Sequence, residues 1–496
     1  MTDFETFVSA HSDDDTDRLL LNREKWPEID MDLAVNTIIG RRRTASKLPS
    51  WSRTEGLVFP TRLCTEQCSS EETALYKASL VRRLFGEGRP RTADLTGGIG
   101  VDSWAFAGVS SEVLHNEGNP LLSTHAAANF ARLGLDNIRT SGVMIDSTSA
   151  APLLEAFRPD LIFLDPARRS ESGRKVFLIE DCSPDILSIK DILLAHCRYI
   201  LLKLSPMADI SMATQRLTQV REVHCVGYAG ECKELLILLD REHTGTYSLK
   251  VYDNGESMEF AAGEEAESKA LTVPQVMELE GKMLFEPGKA LSKAGMFNAL
   301  SARTGLMRLG RSTNLYLGES GESIPKALGK CFIIRENLPL DKRSMKACGQ
   351  KLGWADVSAR NIPMTSELLL ARLGLDKKKA PGRNPVPHVF GITVDHPDGY
   401  ARTGVISHVK NYPVTFGTDA KGAAAVEPVM LKLTHGTGDD NVHFQGTLQL
   451  VDELINQGKK FELMIYPDGM HGYRGAQSNH FVTANREFWL KYLLAE

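Results

Sequence analysis

At 496 residues the chain has room for about three domains, and its 42% hydrophobic and 24% charged residues are ordinary for a globular protein that buries large cores. A net charge of −5 excludes a global nucleic-acid signature, so any basic surface has to be local. No apolar run approaches the ~18 residues of a membrane span, and the acidic start Met1-Thr-Asp-Phe-Glu5 lacks a secretory pattern, so no membrane role is expected and the cytoplasm is the expected compartment.

Residues 1–88 read as a mostly helical region, with helical patterns at Leu19–Arg23, Asp30–Ile39 and Glu72–Phe85. Arg41-Arg42-Arg43 is a solvated helix end or a phosphate-binding group. The eight cysteines are dispersed, which predicts free thiols in a reducing compartment. Cys64-x-x-x-Cys68 lacks a second pair or a His cluster to complete four ligands, so no metal is expected. Glu66–Lys77 reads as a capped helix start with Ser70 or Thr73 bonding the free amides.

The most informative stretch follows, Arg91-Thr-Ala-Asp94-Leu-Thr96-Gly97-Gly98-Ile-Gly100-Val-Asp102. An acid and three glycines end an apolar run and open a helix, the form of a nucleotide-binding βα turn in which glycine lets a ligand approach the backbone. Three more runs close on acids: Val113–Glu117, Gly142–Asp146 and Asp160–Asp165. Helical patterns at Leu121–Leu133 and Ala151–Phe157 separate them, so the order is strand, helix, strand, helix. Ligands of open parallel sheets bind beyond the carboxyl ends of the strands, where these acids would sit. A single such acid can equally be a helix cap or a solvated loop end. Gly97-Gly98-Ile-Gly100 does not match the G-x-G-x-x-G fingerprint of NAD sites.

This series resembles the class I S-adenosylmethionine-dependent methyltransferases. The resemblance implies that Asp94, Thr96, Gly97, Gly98 and Gly100 hold S-adenosylmethionine around its methionine part, that Glu117 takes the ribose hydroxyls and that Asp146 faces the adenine. Asp165-Pro166-Ala-Arg-Arg169 stands where amino-group methyltransferases carry Asp/Asn-Pro-Pro-aromatic, without the aromatic. Asp165 and Pro166 are therefore the candidate catalytic pair, with Asp165 positioning an acceptor nitrogen. Glu66–Lys77, Glu180–Asp185, Lys203-Leu-Ser-Pro206 and Glu231-Cys-Lys-Glu234 further resemble a small group of bacterial methyltransferases that carry a THUMP-like domain.

The methyltransferase-like domain is expected over 89–241, closing in a hairpin of Arg221–Tyr228 and Glu234–Leu239 around Ala229-Gly230. Residues 242–331, with an alternating run at Tyr247–Tyr252 and an amphipathic helix at Ser292–Arg303, resemble a ferredoxin-like domain. Residues 332–395 resemble a THUMP-like domain through Ala359–Leu369. Ten basic residues stand against three acidic ones between 342 and 383, an excess of seven that includes Arg343, Lys377, Lys378 and Lys379. That excess fits either phosphate binding or a solvated charged face, and the THUMP resemblance implies RNA.

Residues 396–428 read as a linker, and 429–496 resemble the end of prolyl oligopeptidase and dipeptidyl-peptidase catalytic domains through His435–Gln445 and Tyr466–Tyr473. That resemblance makes Asp439 and His471 two members of a catalytic triad. No G-x-S-x-G elbow occurs in the chain, so the nucleophile is missing and the tail is expected to be inert. The fold class expected overall is α/β: a Rossmann-like methyltransferase sheet, a helical amino-terminal region, small α+β domains and a partial α/β-hydrolase fragment. The functions weighed are an RNA methyltransferase with an extra tail, a peptidase whose nucleophile lies on another chain, and a non-catalytic RNA-binding protein.

Overall fold

Leu161, Ile162, Phe163 and Leu164 are all completely buried, as a central strand covered on both faces requires. The computed structural model describes residues 2–168, 179, 182–273, 279–310, 312–319, 328–375, 387–395, 400–405, 412–413, 431–437, 444–456, 461–469 and 473–493. The chain divides into two compact units, Met1–His396 with Arg402–Lys410, and Pro397–Ala401 with Asn411–Glu496.

The first unit begins with helices, the longest being α1 (Met31–Lys47) and α2 (Glu71–Phe85). Asp30 caps α1 by accepting from the Leu33 amide, and Ser70 caps α2 by accepting from the Thr73 amide. Strands and helices then alternate: β1 (Arg91–Asp94), α3 (Val101–Ala107), β2 (Glu112–Asn116), α4 (Pro120–Arg132), β3 (Ile138–Ser141), α5 (Ala150–Phe157), β4 (Leu161–Leu164), α6 (Ile186–His196) and β5 (Tyr199–Leu204). The hairpin of β6 (Val220–Tyr228) and β7 (Glu231–Asp240) closes through Ala229 and Gly230, both at positive φ.

These strands lie in the order β3-β2-β1-β4-β5-β7-β6, with β7 antiparallel to both β5 and β6. Order reverses between β1 and β4, the place where open α/β sheets leave a crevice for ligands. Side chains alternate across the sheet into two cores. Ile162 and Leu164 join Ile200 and Leu202 on one face. Leu161 and Phe163 join Leu201, Leu236 and residues of α2 and α3 on the other.

Two expectations shift here. The run at Gly142–Asp146 is not a strand, because β3 ends at Ser141. The Asn116 side chain takes over the pairing beyond it, donating to Val143 O at 2.8 Å and accepting from Val143 N at 3.0 Å. The sheet also runs past residue 241. The next strands, β8 (Ser248–Asp253) and β9 (Glu256–Ala261), extend it, because Leu249 and Val251 pack into the core that β6 and β7 share.

A five-stranded sheet follows, built from β10 (Leu271–Thr272), β11 (Met283–Pro287), β12 (Met307–Arg308), β13 (Tyr316–Gly318) and β14 (Gly329–Ile333) in the order β10-β12-β13-β11-β14. The helix expected over Ser292–Arg303 is two helices, α7 (Lys289–Ala294) and α8 (Phe297–Thr304), because Gly295 turns left-handed at φ 71°. Next come α9 (Lys342–Leu352), β15 (Asp356–Arg360), α10 (Ser366–Leu373) and β16 (His388–Asp395), with β15 and β16 parallel.

In the second unit β17 (Leu431–Gly436) pairs parallel with β18 (Phe461–Tyr466), accompanied by α11 (Phe444–Asn456) and α12 (Ala476–Leu493). Both strands are mostly half-buried, as expected of a parallel pair to which no further strand is joined among the described residues. Among the described residues no helix is long and apolar enough to cross a membrane.

Candidate active site at the ends of β1, β2, β4 and β5

The turn after β1 is shaped by what its glycines allow. A Cβ on Gly97 would stand 2.2 Å from the His115 ring, and one on Gly100, at φ 97°, would stand 2.3 Å from the Phe130 ring. Gly98 is also left-handed, at φ 57°, but a Cβ there would meet nothing within 4 Å, so this side of the turn opens onto free space. The Gly98 amide donates to Glu117 Oε2 at 2.8 Å, and the Asn119 amide donates to Glu117 Oε1 at 2.7 Å. Glu117 is thereby fixed beside the turn, and each carboxylate oxygen keeps a further lone pair for a ligand hydroxyl.

Asp94 is fully buried beneath the turn. It accepts from Ser103 Oγ at 2.6 Å and from the Thr96 amide at 3.2 Å. Burial pushes its carboxyl up to about 8, assisted by Asp102 and Asp165, while the Ser103 and Thr96 hydrogen bonds pull the other way. Ser103 Oγ also lies 2.9 Å from His115 Nδ1. With the hydroxyl donating to Asp94, His115 donates from Nδ1 and leaves Nε2 buried without a hydrogen-bond partner among the described residues. Burial lowers His115 to about 4, so the ring is neutral.

Thr96 joins the turn to the candidate acceptor loop, since the Asp165 amide donates to Thr96 Oγ1 at 2.6 Å. Asp165 Oδ2 accepts from Lys203 Nζ at 2.5 Å. Lys203 belongs to a buried cluster. Its Nζ donates to Ser69 Oγ at 3.4 Å and lies 3.9 Å from Glu234 Oε1. Lys77, fully buried, donates to Glu234 Oε2 at 2.6 Å and to Ser69 Oγ at 3.0 Å, and pairs with Asp102 Oδ1 at 3.0 Å. Ser69 Oγ in turn donates to Asp102 Oδ2 at 2.8 Å. Burial raises the Asp165 carboxyl against the pull of Lys203. Burial alone would depress Lys203, yet Asp165, Glu234 and Asp102 hold it above its ordinary value.

The structure thus places Asp94, Thr96, Gly97, Gly98, Gly100, Glu117, Asp165 and Pro166 at the carboxyl ends of β1, β2 and β4, with Asp94 and Pro166 buried there. Asp146 lies beyond the end of β3, in an exposed turn. Its Oδ1 accepts from the Thr148 amide and hydroxyl and from the Ser149 amide, and these bonds hold its carboxyl down to about 2. Asp146 thus closes a turn ahead of α5, whose N-cap residue is Ser149. Arg343 is exposed on α9, along with Lys342 and Lys346. Lys377, Lys378, Lys379, Asp439 and His471 lie outside the described residues.

Sequence reasoning gave no role to Ser69, Lys77, Asp102, Lys203 or Glu234. One signal was available: Lys203 interrupts the apolar run Ile200-Leu-Leu-Lys-Leu204, and a lysine in a central strand requires a buried partner. Among the described residues no group of three or more His, Cys, Asp or Glu side chains could hold a metal ion.

The chain is similar to a solved structure from Porphyromonas gingivalis W83, described as a candidate methyltransferase, at 29% identity and a TM-score of 0.66 over 79% of this chain and 94% of that one. It is also similar, at 27% identity over 69% of this chain and 88% of the relative, to an uncharacterised S-adenosylmethionine-dependent methyltransferase of Mycobacterium tuberculosis. A ferredoxin-like domain family matches residues 283–325. The prolyl oligopeptidase family matches residues 388–496, so that similarity begins ahead of residue 429 and includes the stretch read as a linker. Within it, 56 residues are 45% identical to the human prolyl endopeptidase FAP but span 7% of that enzyme.

Proposed function

We propose that the chain is an S-adenosylmethionine-dependent methyltransferase whose acceptor is an amino nitrogen of RNA. The observation that carries the enzyme and its cofactor is the glycine turn at the carboxyl end of β1, where the strand order reverses toward β4. There a left-handed glycine faces open space, flanked by a buried acid and by a carboxylate with spare lone pairs. The residues fit the cofactor: Asp94, Thr96 and Gly97–Gly100 would hold its methionine part, Glu117 its ribose, and the Asp146 turn would stand beside its adenine. When bound, the cofactor supplies an electrophilic methyl group. The chain's own work is to place a nitrogen lone pair in line and to keep water out, and positioning carries most of the rate in such a transfer.

Asp165 does this by accepting a hydrogen bond from the acceptor N–H with the oxygen that Lys203 leaves free. Among the described residues, no donor engages Asp165 Oδ1. RNA is supported by the local excess of basic residues between 342 and 383, of which Lys342, Arg343 and Lys346 are exposed. The tail contributes no acyl transfer, because the chain has no serine elbow to supply a nucleophile. The test is mass analysis of RNA nucleosides from cells with and without the gene. A methylated nucleoside that disappears with the gene and returns with wild type but not with Asp165→Ala supports the reading. An unchanged RNA profile removes RNA as acceptor.

A further inference from the structure

Asp165 and Lys203 meet because of register. β4 and β5 are parallel with Leu164 opposite Leu202, so the next residue along each strand, Asp165 and Lys203, emerges side by side at the crevice. The two are unequally exposed: the Lys203 side chain keeps 11% of its surface and that of Asp165 keeps 36%. The pair therefore has an inner end, fixed in the protein, and an outer end, the Asp165 carboxylate, that a ligand can reach.

The inner end is built in layers. Lys203 reaches Ser69, which donates to Asp102 and accepts from Lys77, which in turn pairs with Glu234. These residues come from the segment before α2, from α2, from α3 and from β7, four separate parts of the chain brought to one point. The charges are three carboxylates, Asp102, Asp165 and Glu234, against two ammonium groups, Lys77 and Lys203, leaving one negative charge in excess. Its only exposed outlet among these groups is Asp165. An unanchored aspartate rotates freely about its last bond, whereas one with Oδ2 bound has a fixed direction for Oδ1.

We propose that Lys203 is a positioning residue for methyl transfer, anchoring Asp165 Oδ2 so that Oδ1 is aimed at the acceptor nitrogen, with Ser69, Lys77, Asp102 and Glu234 holding Lys203 in place. This rests on the proposed methyltransferase reading, in which Asp165 meets the acceptor. Among the described residues the titratable groups that face Asp165 besides Lys203 are Asp102, Lys77 and Asp94, and Lys203 is the nearest cation among them. Without it the Asp165 carboxylate loses both its anchor and the positive charge beside it.

The experiment compares full-length wild type, Lys203→Met and Lys203→Arg. Carboxyl carbon NMR of aspartate-labelled protein, with Asp165 assigned from Asp165→Asn, reads its titration directly. Lys203→Met should raise the Asp165 pKa by about one unit or more, and Lys203→Arg should restore it. With labelled S-adenosylmethionine and total RNA from cells lacking the gene, Lys203→Met should lower kcat by about tenfold to a hundredfold. It should also move the acidic limb of the pH profile upward, leave the cofactor KM unchanged, and be rescued in part by Lys203→Arg. An Asp165 titration identical in wild type and Lys203→Met overturns the proposal, as does a Lys203→Met enzyme with wild-type rate and pH profile. If wild type methylates no RNA, the acceptor assignment fails, while the NMR titration still decides the role of Lys203.

Discussion

The amide of Gly98 donates to Glu117 Oε2 at 2.8 Å, so the glycine turn after β1 and the acid after β2 form one rigid rim before any ligand arrives. Rigid placement of an acceptor group lowers the cost of ordering it on binding. Glu117→Ala should therefore weaken S-adenosylmethionine by about 1.5–3 kcal/mol, the worth of hydrogen bonds to a charged group. Titration calorimetry measures this, and an unchanged affinity would remove Glu117 from the ribose site.

Asp94 makes both stability and cofactor binding depend on pH. Burial places its folded-state value at about 8, far above the ordinary carboxyl value, so between the two the folded chain holds a proton that the unfolded chain has released. This contribution is complete below the unfolded value of about 4 and fades as pH rises through the folded value near 8. Asp94→Asn, which cannot titrate, should flatten that part of the urea stability curve. A bound cation favours the ionised form, so cofactor binding near neutral pH should release a proton. Binding heats should then vary with the ionisation enthalpy of the buffer in wild type and not in Asp94→Asn. Buffer-independent heats in wild type would refute the linkage.

The peptidase-like tail should not react as a serine hydrolase. Fluorophosphonate probes should leave the full-length chain unlabelled, because no serine elbow accompanies the segment that carries Asp439 and His471. Specific labelling that His471→Ala abolishes would overturn this.

RNA affinity should fall with salt according to the number of phosphates that the chain neutralises. Replacing Arg343, Lys377, Lys378 and Lys379 with Ala should weaken binding across sequences and flatten the salt slope by about one unit for each phosphate left without its cation. Asp165→Ala should slow transfer and spare binding. A slope unchanged by the four substitutions would place the RNA elsewhere.

Much of the first unit was legible because strand, turn and helix signals agreed locally. Leu161–Leu164 alternates between two cores with no polar interruption, and Ala229-Gly230 can form one kind of tight hairpin. Gly142–Asp146 reads as a strand but is not one, because a neighbouring side chain, Asn116, replaces backbone pairing after Ser141, a substitution that periodicity does not register. β8 and β9 were assigned to a separate domain because alternation identifies a strand but not the sheet it joins. The buried cluster around Lys203 escaped for the same reason. The Ser69–Lys77 stretch, Asp102, Lys203 and Glu234 are far apart in sequence, and the β5–β7 pairing with the packing of α2 and α3 brings them together.

The central claim is that the crevice between β1 and β4 binds S-adenosylmethionine, and the most direct measurement is its calorimetric titration into the full-length wild-type protein. Binding should be saturable at one site per chain, be competed by S-adenosylhomocysteine, and be lost when Gly98→Val fills the open side of the turn. No binding to the folded wild-type chain at about 1 mM cofactor, equivalent to a free energy weaker than about −4 kcal/mol, would contradict the claim.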